Sequence, residues 1–292
     1  MELRVLRYFL AVAREENITA AAERLHVTQP TLSKQLMDLE DELGTKLFIR
    51  GNRRIKLTEE GMFLRKRAQE LIELADKTEA QFHASGTELS GEVFIGGGET
   101  DGMRLIAAAV KRVNEIHPAV RFNLYSGNGR DVSERLDKGL LDFGLFVGRI
   151  DLKKYEYITL PTVDVWGLLL RENDPLSQKD AITPEDMRSL KLIASRQVML
   201  QNELSSWLGY PFEDINVIGT YNLIFNAALL VKEGVGCALC IDKLVNTEGS
   251  GLCFRPFYPR KTAELTLAWK RYQVLSSAAK CFLQELCGEK SD

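Results

Sequence analysis

Apolar residues recur at helical spacing at Leu3, Leu6, Phe9/Leu10 and Ala13, predicting an amphipathic helix over residues 2–14. Asn17-Ile18-Thr19 supplies a cap signal before a short helix of small residues at 20–25. After a break at His26-Val27, Thr28 is a good N-cap, and Pro30 falls in the first turn, where its missing N–H costs nothing. Leu32, Leu36, Leu39 and Leu43 then line one face of a helix that Gly44 ends, leaving Gln29, Thr31, Ser33, Lys34 and Asp38 largely on the other. Leu47-Phe48-Ile49 and Arg54-Ile55-Lys56-Leu57 flank Gly51-Asn52, a strong hairpin signal.

A longer helical pattern follows. Gly61, Leu64, Ala68, Leu71, Ala75, Thr78 and Phe82 recur with 3-4-3-4 spacing and no proline, a seam that calls for a partner helix. Ala84-Ser85-Gly86-Thr87 reads as a hinge-like break. Beyond it, strand and helix patterns alternate: strand 92–95, helix 100–116, strand 120–125, helix 132–138 and buried strand 142–147 make a βαβαβ unit with a parallel sheet. Strand 163–170 starts a second series, continuing through helix 184–190, strand 191–195, helix 201–208, strand 215–219, helix 223–232 and strand 236–239. Strand 264–269 and helix 276–286 close the chain.

Length and charge sharpen this picture. A chain of 292 residues with 45% hydrophobic content has material for about two ordinary domains. Its net charge of −3 excludes a uniformly basic coat, but residues 1–58 carry ten basic and eight acidic residues, and 46–56 hold five basic residues with no acid. No apolar run approaches the roughly 18 residues of a membrane span. Arg4, Arg7 and Arg14 break any signal-like core, so a cytoplasmic location is expected. Five cysteines, an odd number without framework spacing, fit a reducing compartment.

Two short helices joined by a tight turn, the second exposing hydroxyl, amide and ammonium groups, are a helix-turn-helix candidate. The basic hairpin after them is a wing placed to reach phosphates or a minor groove. The stretch from Ala20 to Gly61, with AAERLHVTQPTLSKQ, LEDELGTKLFIR and RRIKLTEEG, resembles the winged helix-turn-helix of LysR-type transcriptional regulators. More diffusely, the resemblance extends through VFIGGGETDG, WGLLLRENDPLS and LLVKEGVGCALCIDKLV to the end of the chain. It implies that Thr28, Gln29, Pro30, Thr31, Ser33 and Lys34 face the major groove or its phosphates, and that Arg50 and Arg53 lie in the wing. It also implies a linker helix that pairs two chains. The expected fold is α/β, with an N-terminal winged helix-turn-helix and a two-lobed, periplasmic-binding-protein-like (type II) effector domain. The expected boundaries are 1–58 for DNA binding, 59–88 for the linker, 91–161 plus 266–292 for one lobe, and 162–265 for the other.

In open α/β sheets ligands sit beyond the carboxyl ends of strands, at helix N-termini. The loop Gly96–Gly102 follows a strand and opens a helix, without being a dinucleotide fingerprint or a P-loop. Glu99 and Asp101 beside it are either helix N-terminal charges or the mark of an amine-bearing ligand. The same logic brings Glu99, Thr100, Asn128, Arg149, Arg196, Thr220 and Tyr221 toward one cleft. There the arginines would fork a carboxylate or phosphate, so the expected effector is a small polar, anionic metabolite. No catalytic residue, metal or cofactor is expected: His26, His83 and His117 lack relay partners, and hydrolase and zinc-protease motifs are missing. Cys237 and Cys240 form a lone CxxC on a strand, where odd spacing sends the thiols to opposite faces. The expected partners are double-stranded DNA, a small-molecule effector and further copies of the chain, as homodimer or homotetramer, with no membrane. A solute receptor is opposed by residues 1–58 and the lack of a signal-like start, an enzyme by the empty motif search.

Overall fold

The structure, a computed structural model, describes residues 1–50, 55–82, 89–148, 150–196 and 204–288, the side chains of Arg50, Ala80, Gln81 and Phe82 excepted. The chain divides into two compact units, Met1–His83 and Ala84–Asp292.

The first unit opens with α1 (Leu3–Glu15), which buries Val5, Leu6, Phe9 and Val12. Helix α2 (Ile18–Arg24) is capped by Asn17, whose side chain accepts the N–H groups of Thr19 and Ala20 at 2.8 and 3.1 Å. Thr28 caps α3 (Gln29–Leu43), and Gly44 ends it at φ 67°, a left-handed conformation that glycine adopts without strain. Strands β1 (Phe48–Arg50) and β2 (Ile55–Leu57) pair antiparallel as the predicted hairpin; its turn at Gly51-Asn52 lies outside the described residues. Helix α4 (Glu59–Phe82) starts at Thr58, whose hydroxyl accepts the N–H of Gly61 at 2.9 Å.

Two expectations about apolar faces are corrected. Leu32, Leu36 and Leu39 are buried, but Leu43, in the last turn of α3, is 40% exposed. On α4, Leu64, Ala68 and Ile72 are buried with α1 in the core of this same unit, so that face does have an apolar segment to cover it. The apolar residues left exposed are Met62, Phe63, Leu71 and Leu74. At about 100° per residue, Phe63, Leu71 and Leu74 form a stripe roughly a third of a turn away from the buried one.

The second unit is built on one mixed sheet. Its first half has β3 (Gly91–Gly97), α5 (Met103–Ile116), β4 (Val120–Ser126), α6 (Gly129–Asp137) and β5 (Phe143–Val147). Strand β3 pairs parallel with both β4 and β5, the predicted βαβαβ arrangement. The predicted strand at 163–170 is only the end of β6 (Tyr155–Arg171), a 17-residue strand that runs from one half of the sheet into the other.

The second half contains α7 (Pro184–Met187), β7 (Leu192–Ser195), α8 (Ser205–Leu208), β8 (Val217–Tyr221), α9 (Ile224–Lys232) and β9 (Cys237–Ile241). Strand β10 (Leu252–Pro256), which the pattern did not predict, pairs with β6. Strand β11 (Thr262–Lys270) and α10 (Ser277–Cys287) return to the first half. The strand order is β4-β3-β5-β11-β6-β9-β7-β8. Strands β11 and β6 pair on both sides of a register shift between Glu264 and Thr266.

Each half has apolar clusters of its own. One is centred on Val93, Ile106, Phe143, Leu267 and Phe282, another on Leu168, Leu192, Leu239 and Phe257. Cys237 packs in the second of these, whereas Cys240 packs with Ile224, Ala228 and Ala238 on the other sheet face. The two thiols therefore cannot share a ligand, and burial pushes each up to about 12.

Candidate functional site

In the first unit the side chains of interest gather at the start of α3. Gln29, Pro30, Thr31 and Lys34 are exposed and Ser33 is half-buried, so the N-terminal turns of the helix present an amide, hydroxyls and an ammonium outward. Thr28 has a structural task as well. Its hydroxyl accepts the Thr31 N–H at 3.4 Å and lies 2.8 Å from the Thr31 hydroxyl. Arg50 closes β1, its side chain outside the described residues, as is the whole of Arg53. Lys56, opposite Ile49 in the hairpin, is exposed.

The link between helix and hairpin is Glu40, which the sequence reading passed over. Its side chain is 4% exposed and accepts the N–H groups of Leu47 and Phe48 at 2.8 and 3.2 Å and the Lys46 ammonium at 2.9 Å. Burial alone would raise this carboxyl, but the Lys46 and backbone hydrogen bonds outweigh it and hold it below the usual carboxylate range. The hydroxyl of Thr58 donates to the Lys46 carbonyl at 2.8 Å. A Cβ on Gly61 would stand 2.2 Å from the Leu47 carbonyl oxygen. The hairpin is thus fastened at its base to α3 on one side and to α4 on the other.

In the second unit a cleft of about 90 Å³ opens at the carboxyl ends of the strands. Among the expected residues, Glu99, Asn128, Arg196 and Tyr221 line it. Thr100 instead lines an adjoining depression with Asp101 and Lys243. Thr220 is exposed and lines neither, and Arg149 lies outside the described residues.

Several of these side chains carry local duties. Asn128 caps α6, its carbonyl oxygen accepting the Asp131 N–H at 3.0 Å and its amide donating to the Asp131 carboxylate at 2.7 Å. The Tyr221 hydroxyl donates to the Leu239 carbonyl at 2.7 Å, so the ring alone is offered to the cleft. Thr100 is buried, its hydroxyl accepting the Gly102 N–H at 3.0 Å. Glu99 reaches across the sequence to α9. Leu223 at the N-cap position has no side chain able to cap, and the Glu99 carboxylate accepts the Ile224 N–H at 2.5 Å instead.

Trp166, on β6, was missed. It lines the cleft and is 6% exposed, yet its indole N–H has no acceptor among the described residues. Beside the cleft, Asp101 pairs with Arg104 at 2.6 Å and with Lys243, from the other half of the sheet, at 3.6 Å. Asp164, on β6, is 5% exposed, and burial raises its carboxyl to about 6 despite a hydrogen bond from Thr100. One of its oxygens has no partner among the described residues.

Comparisons with known proteins agree with these two units. Residues 3–62 match the family described as bacterial regulatory helix-turn-helix protein, lysR family, and residues 86–289 match the LysR substrate binding domain. The chain is 27% identical over 281 residues to the Hca operon transcriptional activator HcaR of Escherichia coli (strain K12), covering 94% of this chain and 93% of the relative. It is 31% identical over 199 residues to the HTH-type transcriptional regulator BsdA of Bacillus subtilis (strain 168), covering 68% of each. Among solved structures, CbnR, a LysR family transcriptional regulator, superposes with a TM-score of 0.77 at 18% identity and full coverage of both chains. Full-length CbnR complexed with its target DNA gives 0.76, covering 99% of this chain and 100% of that one.

Proposed function

The chain belongs to the LysR family of DNA-binding transcriptional regulators, which are not enzymes, and from that membership we propose how it reads DNA and what it answers to. Gln29, Thr31 and Ser33 read base edges in a major groove, while Lys34 and the wing arginines Arg50 and Arg53 hold phosphates. Thr28 and Pro30 set the helix start that aims them. The observation that carries this is the exposed polar N-terminus of α3, held in fixed relation to the hairpin by Glu40. Recovery of a shared operator motif from random DNA by the full-length chain tests it. Loss of the motif but not of general binding is expected in Gln29→Ala and Ser33→Ala, and an unchanged motif in both overturns it.

The cleft in the second unit takes a small polar effector whose anionic group meets Arg196, with Arg149, outside the described residues, as the second cation that the sequence offers. Glu99, Asn128 and Tyr221 complete the lining around it, while Thr100 and Thr220 stand outside that lining and take no part in the contact. Effector binding acts on DNA by favouring one of two conformations. The working species is a cytoplasmic homodimer or homotetramer. The exposed stripe Phe63, Leu71 and Leu74 on α4 is the surface by which two chains pair, because three large apolar side chains along one face of a helix gain from being covered together. Phe225 and Leu229 on α9, 70% and 50% exposed, offer a second contact between copies. The division of the second unit into lobes 91–161 plus 266–292 and 162–265, joined through β6 and β11, is part of the same proposal.

A further inference from the structure

We propose that the cleft selects a zwitterion, an α-amino acid or close analogue, over a simple anion; this rests on the effector reading above and names its ligand class. The cleft holds two opposite charges that do not satisfy each other. Arg196 lines it and has no carboxylate partner among the described residues. Glu99 lines it from the other half of the sheet and has no cationic partner among the described residues. Its hydrogen bond to Ile224 fixes the carboxylate in place and uses one of about four acceptor positions.

A third group points the same way. The Trp166 indole N–H is a buried donor without an acceptor among the described residues, a condition that folded proteins rarely tolerate. A carboxylate at Arg196 would gain charge-assisted hydrogen bonds there, and a small turn of the Trp166 ring would bring its buried N–H to the same group. A dicarboxylate or phosphate extending toward the opposite wall would meet Glu99 and be repelled. An ammonium group there pairs with it. Leu145, Phe146 and Ile241 also line the cleft and supply apolar surface suited to a short hydrocarbon side chain.

The test is calorimetry and thermal shift on the full-length chain with the twenty L-amino acids as probes. Each hit is compared with its deaminated acid and decarboxylated amine, such as 4-methylpentanoate and 3-methylbutylamine for leucine. At least one amino acid is expected to bind, with both truncated partners at least tenfold weaker. Glu99→Gln keeps an acceptor for the Ile224 N–H but loses the charge. It should weaken the amino acid at least tenfold while leaving the weak affinity for the acid unchanged. A deaminated acid that binds wild type as tightly as its amino acid, or a panel in which no amino acid binds, overturns the zwitterion. Binding that survives Arg196→Ala and Trp166→Phe at wild-type strength places the ligand elsewhere and overturns the cleft reading itself.

Discussion

Glu40, in the last turns of α3, accepts the backbone N–H of Leu47 at 2.8 Å and so ties the recognition helix to the first strand of the hairpin. The bond is buried, and removing the acceptor leaves two backbone donors, on Leu47 and Phe48, without a partner. Glu40→Ala should therefore destabilise the first unit by about 1–3 kcal/mol. The folded-state carboxyl lies below its ordinary value, so its contribution is fully present above the unfolded-state pKa of about 4.3. It disappears as pH falls through the lower folded-state value. Urea titrations of full-length wild type and variant, at neutral pH and near pH 3, should show the gap between them closing in acid. A gap independent of pH would assign the loss to packing.

Gly61 admits no side chain. The Cβ of an alanine would stand 2.2 Å from the Leu47 carbonyl oxygen, and backbone cannot give way as a flexible side chain does. Gly61→Ala should cost about 1–3 kcal/mol and shift the hairpin relative to α4. Thermal unfolding and operator affinity of the variant check this; wild-type values in both would mean that α4 slides freely at its start.

These two residues mark the limit of what the sequence discloses. Thr28, Gly44 and Asn17 were legible because capping is local: the side chain and the N–H groups it satisfies lie within three residues. Glu40 sits among acidic neighbours in LEDEL and looks like part of a solvated charge run. Its partners belong to a strand whose position only the fold defines. The same holds for Glu99, whose partner Ile224 is 125 residues away, and for Trp166, whose unpaired N–H is a fact of tertiary packing. On α4 the periodicity was real but was assigned to the wrong burial. Both stripes have helical spacing, and only the position of α1 decides that Leu64 faces the core and Leu74 the outside.

That distinction predicts different outcomes along one helix. Leu64→Asp places a charge in the core with Ala68 and Phe9 and should unfold the first unit. Leu74→Asp, at a position 39% exposed, should leave the unit folded and weaken the pairing of chains. Sedimentation together with circular dichroism separates the two: loss of helical signal for Leu64→Asp, retained signal with a smaller species for Leu74→Asp. An unchanged assembly in Leu74→Asp combined with Phe63→Asp would remove α4 from the interface.

Asp164 carries a pH dependence of opposite sign to Glu40. Burial raises its carboxyl to about 6, above an unfolded value near 3.9. The folded chain therefore binds this proton more tightly. The resulting penalty is absent below about pH 4, grows as pH rises through the interval and is complete above about pH 6. Asp164→Asn should stabilise the second unit by about 1–2 kcal/mol near pH 8 and by little near pH 4. Thr100→Val removes the hydroxyl that donates to Asp164 and accepts from Gly102, so its first effect should be on stability. Unfolding followed at both pH values checks each variant, and a benefit of Asp164→Asn that is equal at pH 4 and pH 8 would exclude titration of this group.

The recognition helix gives the sharpest separation of roles. Gln29 is exposed at the first position of α3, where an amide can form two hydrogen bonds to one adenine edge. Ser33 lies one turn on and is half-buried, and on the proposed reading it meets a neighbouring base. Lys34 projects from the exposed face as a point charge suited to phosphate. Gln29→Ala and Ser33→Ala should each cost about 1–3 kcal/mol at a matched operator and relax the preference at one base pair. Lys34→Ala should weaken all sequences alike and lower the slope of log affinity against log salt by about one. The same titration on Thr31→Ala tests the local geometry. Its hydroxyl reads the groove and is also engaged with Thr28 at 2.8 Å, so its loss should relax the preference and, by loosening the helix start, weaken unmatched DNA as well. Binding measured on matched and scrambled duplexes at several salt concentrations distinguishes all four. If Lys34→Ala altered the preferred motif while Gln29→Ala altered only the salt slope, the reading face of α3 would be rotated from the one assigned.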